Sequence, residues 1–247
     1  MTDLPEPDPI PPLDRPALRA ALAARQAAGQ RPAGGVSLCP AIDRALPGGS
    51  LPAGALHEIL AEEPLAAAEF CAFLLGRLAA RGSGSLLWIA AGGFPAGLAR
   101  FGLSPADLLL VRAMRPEDAL WAMEQGLASP GIAGAVLHLD GVEPMVVQRL
   151  QQAAGAGGGL GLLLRPDEDM GEAGAATRWR VGGGSAGLSD PRWRLALLRC
   201  RAGRPGRWDA TWRPAADRLD VEDDAEAPAV PMRRRARSVE RESAICE

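Results

Sequence analysis

Apolar residues in this chain fall in short, nearly unbroken runs separated by stretches of helical spacing. The runs at 54–60, 85–90, 107–111, 132–139 and 160–164 predict five strands buried on both faces. Prolines mark the helices between them, because the first turn of a helix has no use for the missing N–H. Pro64 opens a helix to about Arg81 that is apolar on most sides (Leu65, Phe70, Phe73, Leu74, Leu78), as suits a buried crossover. Pro116 opens another, with Glu117 and Asp118 favourably placed in its first turn and Leu120, Met123 and Leu127 at helical spacing. A third runs from Pro144 through Leu150, and a short one opens at Asp14 and Pro16, carries Leu18 and Leu22, and runs to Gly29. Apolar strands alternating with helices imply an α/β fold, a mainly parallel sheet flanked by helices.

Past Arg165 the pattern changes. Residues 166–176 read as a polar loop, and 177–181, 192–201 and 207–212 as shorter antiparallel strands. From Arg218 the chain is a charged tail, acidic from Asp220 to Glu226 and then basic at Arg233, Arg234, Arg235 and Arg237, the kind of block that stays solvated. The Pro- and Asp-rich residues 1–13 are expected to be extended and disordered. The predicted organisation is therefore a disordered segment 1–13, a helix and linker 14–40, one α/β domain 41–217 and a disordered tail 218–247.

Composition adds limits. All 27 basic residues are arginine; lysine, asparagine and tyrosine are absent. That fits a genome-wide bias against AT-rich codons, so the missing lysine alone does not prove a lost function. A net charge of -3 gives no overall attraction to nucleic acid or membrane. Cys39, Cys71, Cys200 and Cys246 are scattered, without the clustered ligands a zinc site needs, and read as reduced thiols. There is no apolar run long enough for a membrane span and no signal-peptide core, so a cytoplasmic protein is expected.

The candidate chemistry is that of a dismantled nucleotide site. The middle of the chain is laid out like a P-loop ATPase of the RecA type, in which a glycine-rich turn and a lysine hold phosphate after the first strand. Here that turn reads Ala61-Glu62-Glu63-Pro64-Leu65-Ala66-Ala67-Ala68-Glu69, with no glycine, no lysine and three carboxylates. Glycine is abundant elsewhere, so codon bias does not explain the loss. Asp140 stands where a Walker B aspartate would hold magnesium and reads as a vestigial or helix-capping residue. The second strand ends at Ile89-Ala90-Ala91-Gly92-Gly93, with no acid or base to activate water. Arg77 and Arg81, the nearest substitutes for the lysine, lie too far along the helix to reach phosphate. His57 and His138 read as satisfied, half-buried histidines, and neither has a hydrolase elbow beside it. No catalytic residue, cofactor or metal is expected.

A repeated Arg-Trp-Arg offers a different chemistry. It occurs at Arg178-Trp179-Arg180 and Arg192-Trp193-Arg194, where strand geometry sends each tryptophan to one face and its arginines to the other. Residues 177–218 hold ten arginines against three aspartates. With Trp208 and Trp212 nearby, these residues, together with Arg201 and Arg204, are candidates for binding single-stranded DNA or a protein partner. The alternative is that the tryptophans pack the sheet onto the core and the arginines form a solvated face.

Three stretches resemble the ImuA family of bacterial damage-inducible mutagenesis proteins: Ile42 to Ile59, Leu108 to Glu124, and Ala176 to Val181 continued by Pro191 to Leu195 and Arg204-Pro205-Gly206. Together they span most of residues 40–213. The resemblance implies a RecA-like fold and a role in the SOS response. That role is non-catalytic translesion DNA synthesis alongside ImuB, an inactive Y-family polymerase homologue, and an error-prone DnaE-type polymerase, with RecA as a further partner. A RecA relative would present DNA-binding loops near 141–147 and 165–176, but neither is basic here; Arg165 stands among Asp167, Glu168, Asp169 and Glu172. The alternatives are a SulA-like inhibitor of cell division and a divergent RecA-like ATPase.

Overall fold

Pro64, Pro116 and Pro144 each open a helix after a strand. The strands before Pro64 and Pro144 are buried, but Leu108–Arg112 before Pro116 is an edge strand with Leu110 exposed, where burial on both faces was expected. The computed structural model describes residues 11–28, 34–82, 84–91, 97–104, 106, 108–167, 174–183 and 190–223. In chain order the elements are α1 (Arg15–Ala28), α2 (Pro40–Asp43), β1 (Ala55–Ala61), α3 (Pro64–Ala79), β2 (Ser85–Ala90), β3 (Leu108–Arg112), α4 (Pro116–Ala128), β4 (Ile132–His138), α5 (Pro144–Gly157), β5 (Leu160–Pro166), β6 (Thr177–Gly182), β7 (Arg192–Cys200), β8 (Gly206–Arg213) and β9 (Arg218–Asp223). One sheet runs β3-β2-β4-β5-β1-β6-β7-β8-β9. Its neighbours are parallel from β3 through β6 and antiparallel from β6 through β9. The predicted α/β class, with helices flanking a mainly parallel sheet and antiparallel strands at its C-terminal end, is what the chain adopts.

The details depart from the sequence expectation in four further places. Strand β6 pairs parallel to β1 as well as antiparallel to β7, so it joins the two halves of the sheet. Helix α5 runs to Gly157, past the predicted end at Leu150, because Ala153, Ala154 and Gly157 are buried. A Cβ on Gly157 would lie 2.0 Å from the Leu127 carbonyl oxygen, so glycine is what lets α5 approach the end of α4. Residues 218–223, predicted as tail, form β9, with Leu219 and Val221 packed on the core side while Asp220 and Glu222 alternate outward. Near the start, Pro12 bridges Arg112 at the edge of β3, and the Leu13 N–H donates to the Arg112 carbonyl (2.8 Å). Residues 1–10 and 224–247, where disorder was expected, lie outside the described residues. Among the described residues no helix is long and apolar enough to cross a membrane.

Two cores result. On one face, α4, α5 and α1 cover Leu56, Leu87, Leu137 and Leu163. Helix α1 is fixed there by Leu18 and Leu22, by a bond from Arg15 Nε to Asp118 (2.9 Å), and by the guanidinium groups of Arg15 and Arg19 over the Trp121 ring. On the other face, α3 spans both halves of the sheet, touching β1 and β5 as well as β6 and β7. Phe70 meets Trp179 and Trp193, and Phe73 meets Trp193 and Trp212, with ring centroids 4.9–6.0 Å apart. These separations are those of mutually attracted aromatic rings.

Buried polar groups then fix how β1, β5 and β6 meet. His57 is fully buried, with Nε2 2.9 Å from the Pro52 carbonyl and Nδ1 2.8 Å from Thr177 Oγ1. The carbonyl can only accept, so Nε2 carries the hydrogen and Nδ1 accepts from the threonine hydroxyl. Thr177 Oγ1 in turn accepts from Trp179 Nε1 (2.9 Å). Burial lowers the His57 pKa to about 4, against a smaller opposing effect of the Pro52 bond. On the opposite face of the same strands, Glu58 accepts from Arg165 Nη1 and Arg178 Nε, both at 2.7 Å. Glu58 and Arg165 are buried and Arg178 is largely so. His57 is thus fully buried where half-burial was expected, and Arg165 belongs to a strand and an ion triad, not to a DNA-facing loop.

Three outcomes are expected. Phe73→Ala opens a cavity between the tryptophans and costs about 3–5 kcal/mol in urea unfolding. Glu58→Ala leaves two guanidinium groups without their shared buried counter-charge and costs about 3–5 kcal/mol by the same measurement. His57 binds its proton more readily unfolded than folded, so stability is present above about pH 6.5 and is lost as pH falls toward about 4. The loss reaches about 3 kcal/mol, and calorimetric titration of His57→Gln should lack that part of the slope.

Candidate functional site

The carboxyl ends of parallel strands are where α/β sheets bind ligands, and β1 ends there in the turn Glu62-Glu63-Pro64. Pro64 takes the first position of α3, and Glu63 before it is extended (φ -128°, ψ 115°). The Glu62 N–H donates to the Val181 carbonyl of β6 (3.0 Å), so this amide serves the sheet and is not turned toward a phosphate. The Glu62 carboxylate lies 3.4 Å from Arg194 and 3.9 Å from Arg180. Glu63 lies 3.7 Å from Arg194 and accepts from the Gly183 N–H (3.3 Å). The two acids of the turn are therefore matched by arginines of β6 and β7. Glu69, the third acid of the segment, is buried within α3 and paired with Arg100.

The other positions expected to correspond to a nucleotide site are equally occupied or displaced. Arg77 is thirteen residues along α3 from Pro64, about 20 Å at 1.5 Å per residue. It pairs with Asp217 (3.2 Å) over the Phe73 and Trp212 rings, and Arg81 donates to the Gly35 carbonyl. Strand β4 ends at His138, one residue short of the predicted Leu139, and Asp140 follows as an exposed residue beyond the strand. His138 is exposed, where half-burial was expected. Gly92 and Gly93 lie outside the described residues.

The Arg-Trp-Arg repeats split between the two faces as strand geometry requires. Trp179 and Trp193 are 0% and 1% exposed, and Trp208 and Trp212 are also buried, all on the α3 face. No base can stack on these rings. Their arginines emerge on the opposite face. Arg178 is committed to Glu58, and Arg180 to Asp167 (2.8 Å) and Glu62. Arg192 and Arg194 are exposed on β7, joined on the same face by exposed Arg207 and Asp209 of β8. Arg201 and Arg204 sit in the β7–β8 turn region, where the Arg201 N–H donates to Ala176 (2.9 Å) and the Arg204 N–H to Ala45 (2.9 Å), leaving both residues exposed.

The face has a regular layout. Arg180 stands opposite Ala196, which stands opposite Arg207; in the next row Gly182, Arg194, Asp209 and Glu222 face one another. A cavity of about 280 Å³ opens over Ala196, lined by Arg180, Arg194, Arg207, Glu62 and Asp209 among others. Arg207 did not stand out in the sequence, because the signal that selects it is the cross-strand register and not the Arg-Trp-Arg pattern.

No family model matches the chain. Two curated proteins do, both called "Protein ImuA" and both from strains of Caulobacter vibrioides. Each is 35% identical to this chain over 193 residues, covering 68% of this chain and 79% of the relative. Identity at that level extends over more than two thirds of both sequences. The chain belongs to the ImuA family.

Proposed function

We propose that this protein is a non-catalytic, RecA-like accessory factor of SOS-induced translesion DNA synthesis. It acts as an adaptor for ImuB and an error-prone DnaE-type polymerase in the cytoplasm, with RecA and single-stranded DNA as further contacts. Membership of the ImuA family supports the mutagenesis role. The observation that carries the non-catalytic reading is the turn after β1. Its two glutamates are ion-paired to Arg180 and Arg194, and the Glu62 amide is bonded to β6. Phosphate would have to displace paired carboxylates and would meet their charge, which disfavours a second anion. The chain also has no lysine to reach the outer phosphates. A scaffold of this kind works by contact, and the arginine face of β6–β8 is the surface we assign to it.

Two measurements test the reading. Titration of the purified protein with magnesium-ATP should give no saturable binding up to about 1 mM, the weak limit of useful affinity; micromolar affinity would overturn the non-catalytic reading. Tagged protein recovered from cells with damaged DNA should carry ImuB and the DnaE-type polymerase. Recovery of FtsZ in their place would identify a cell-division inhibitor.

A further inference from the structure

The basin over Ala196 has features that a merely solvated arginine face lacks. Its floor is a methyl group on the central strand β7, flanked directly by Arg180 on β6 and Arg207 on β8. Two strand spacings set those two backbones about 10 Å apart. Arg194 rises one row further along β7 on the same face. Three guanidinium groups, with the carboxylates of Glu62 and Asp209 at the margin, thus surround one small residue and leave a cavity of about 280 Å³ in which the cations outnumber the acids.

The arginines are not equivalent. Arg180 is held by Asp167 at 2.8 Å. Among the described residues Arg194 has only longer ion-pair contacts, 3.4 and 3.7 Å, to Glu62 and Glu63, and its side chain is 64% exposed. Arg207 is exposed, and its nearest acid along the strand, Asp209, is two residues away on the same face. Arg180 therefore acts as a fixed wall, while Arg194 and Arg207 are able to turn onto an incoming acceptor. A carboxylate matches the planar guanidinium fork and accepts from two such groups at once.

The surroundings choose between two polyanionic or acidic partners. A nucleic-acid strand would need a continuous positive track and rings to stack on. Here the tryptophans are buried on the other face, and Asp209, Asp220 and Glu222 follow the arginines across the sheet. Alternating charge of this kind repels a uniform phosphate chain and suits a protein segment with its own mixed pattern. The geometry points to the Ala196 basin as the docking site for an acidic side chain of a partner protein, seated between Arg194 and Arg207 against the Arg180 wall. This rests on the adaptor reading above and specifies its surface.

The test uses the full chain and a fluorescein-labelled acidic peptide of alternating glutamate and serine, followed by anisotropy at low and high salt. A labelled oligothymidylate is run in parallel. The expected result is saturable peptide binding that weakens with salt, falls at least tenfold in Arg207→Glu and falls by less in Arg207→Lys, which keeps the charge but not the fork. Ala196→Glu places a carboxylate on the basin floor and should abolish peptide binding while raising the melting temperature. Oligothymidylate should show no saturable binding to wild type and no change in Arg207→Glu. The proposal fails if the peptide does not saturate, if it binds wild type and both glutamate variants equally, or if the oligonucleotide binds more tightly than the peptide and displaces it. Any of these failures leaves the magnesium-ATP result untouched, so loss of the docking site and loss of the non-catalytic reading are separable.

Discussion

The contact of α3 with the tryptophans of β6, β7 and β8 is the constraint on which the architecture rests. A parallel sheet and an antiparallel extension have different connection rules, and nothing in strand pairing alone keeps them in one plane with one core. Phe70 and Phe73 supply that coupling. They lie on a helix required as the crossover after β1, and they reach past it to Trp179, Trp193 and Trp212. Each large ring removes a substantial apolar area from water, so the antiparallel strands are fastened to the parallel core by hydrophobic burial and not only by the β1–β6 ladder.

Polar groups sharpen what the rings leave loose. A strand buried on both faces has little to fix its register except the shape of its side chains. At β1 the register is instead fixed by direction-specific bonds on both faces. His57 is linked to Thr177 and Trp179 on one, and Glu58 to Arg165 and Arg178 on the other. A slip of one residue would bury His57 and Glu58 on the wrong faces, each without its partners. Such networks are tolerated in a core because the buried charges of Glu58, Arg165 and Arg178 meet at close range.

The same economy of charge explains the turn after β1. Glu62 and Glu63 sit at the end of β1, and β6 and β7 bring Arg180 and Arg194 against them. An ATPase keeps that place open and positive. Here it is closed by internal ion pairs, and the same arginines form one wall of the basin over Ala196. The turn after β1 and the open arginine face are therefore neighbours built partly from the same residues.

The sequence by itself determined the order and kind of the elements. Proline at 64, 116 and 144 acts through its own backbone, and the strand runs identify themselves by unbroken apolar character, so both signals are local. It also determined that the turn after β1 lacks the residues to cradle phosphate, and that tryptophan and arginine separate to opposite faces in 178–180 and 192–194. Tertiary structure alone decided the rest. It made β6 parallel to β1, lengthened α5 where Gly157 meets Leu127, recruited 218–223 as β9, and paired Arg165 and Arg178 with Glu58. It also brought Arg207 opposite Ala196. Those outcomes depend on which residues distant in the chain come to lie about 5 Å apart across a sheet, and no local propensity carries that information.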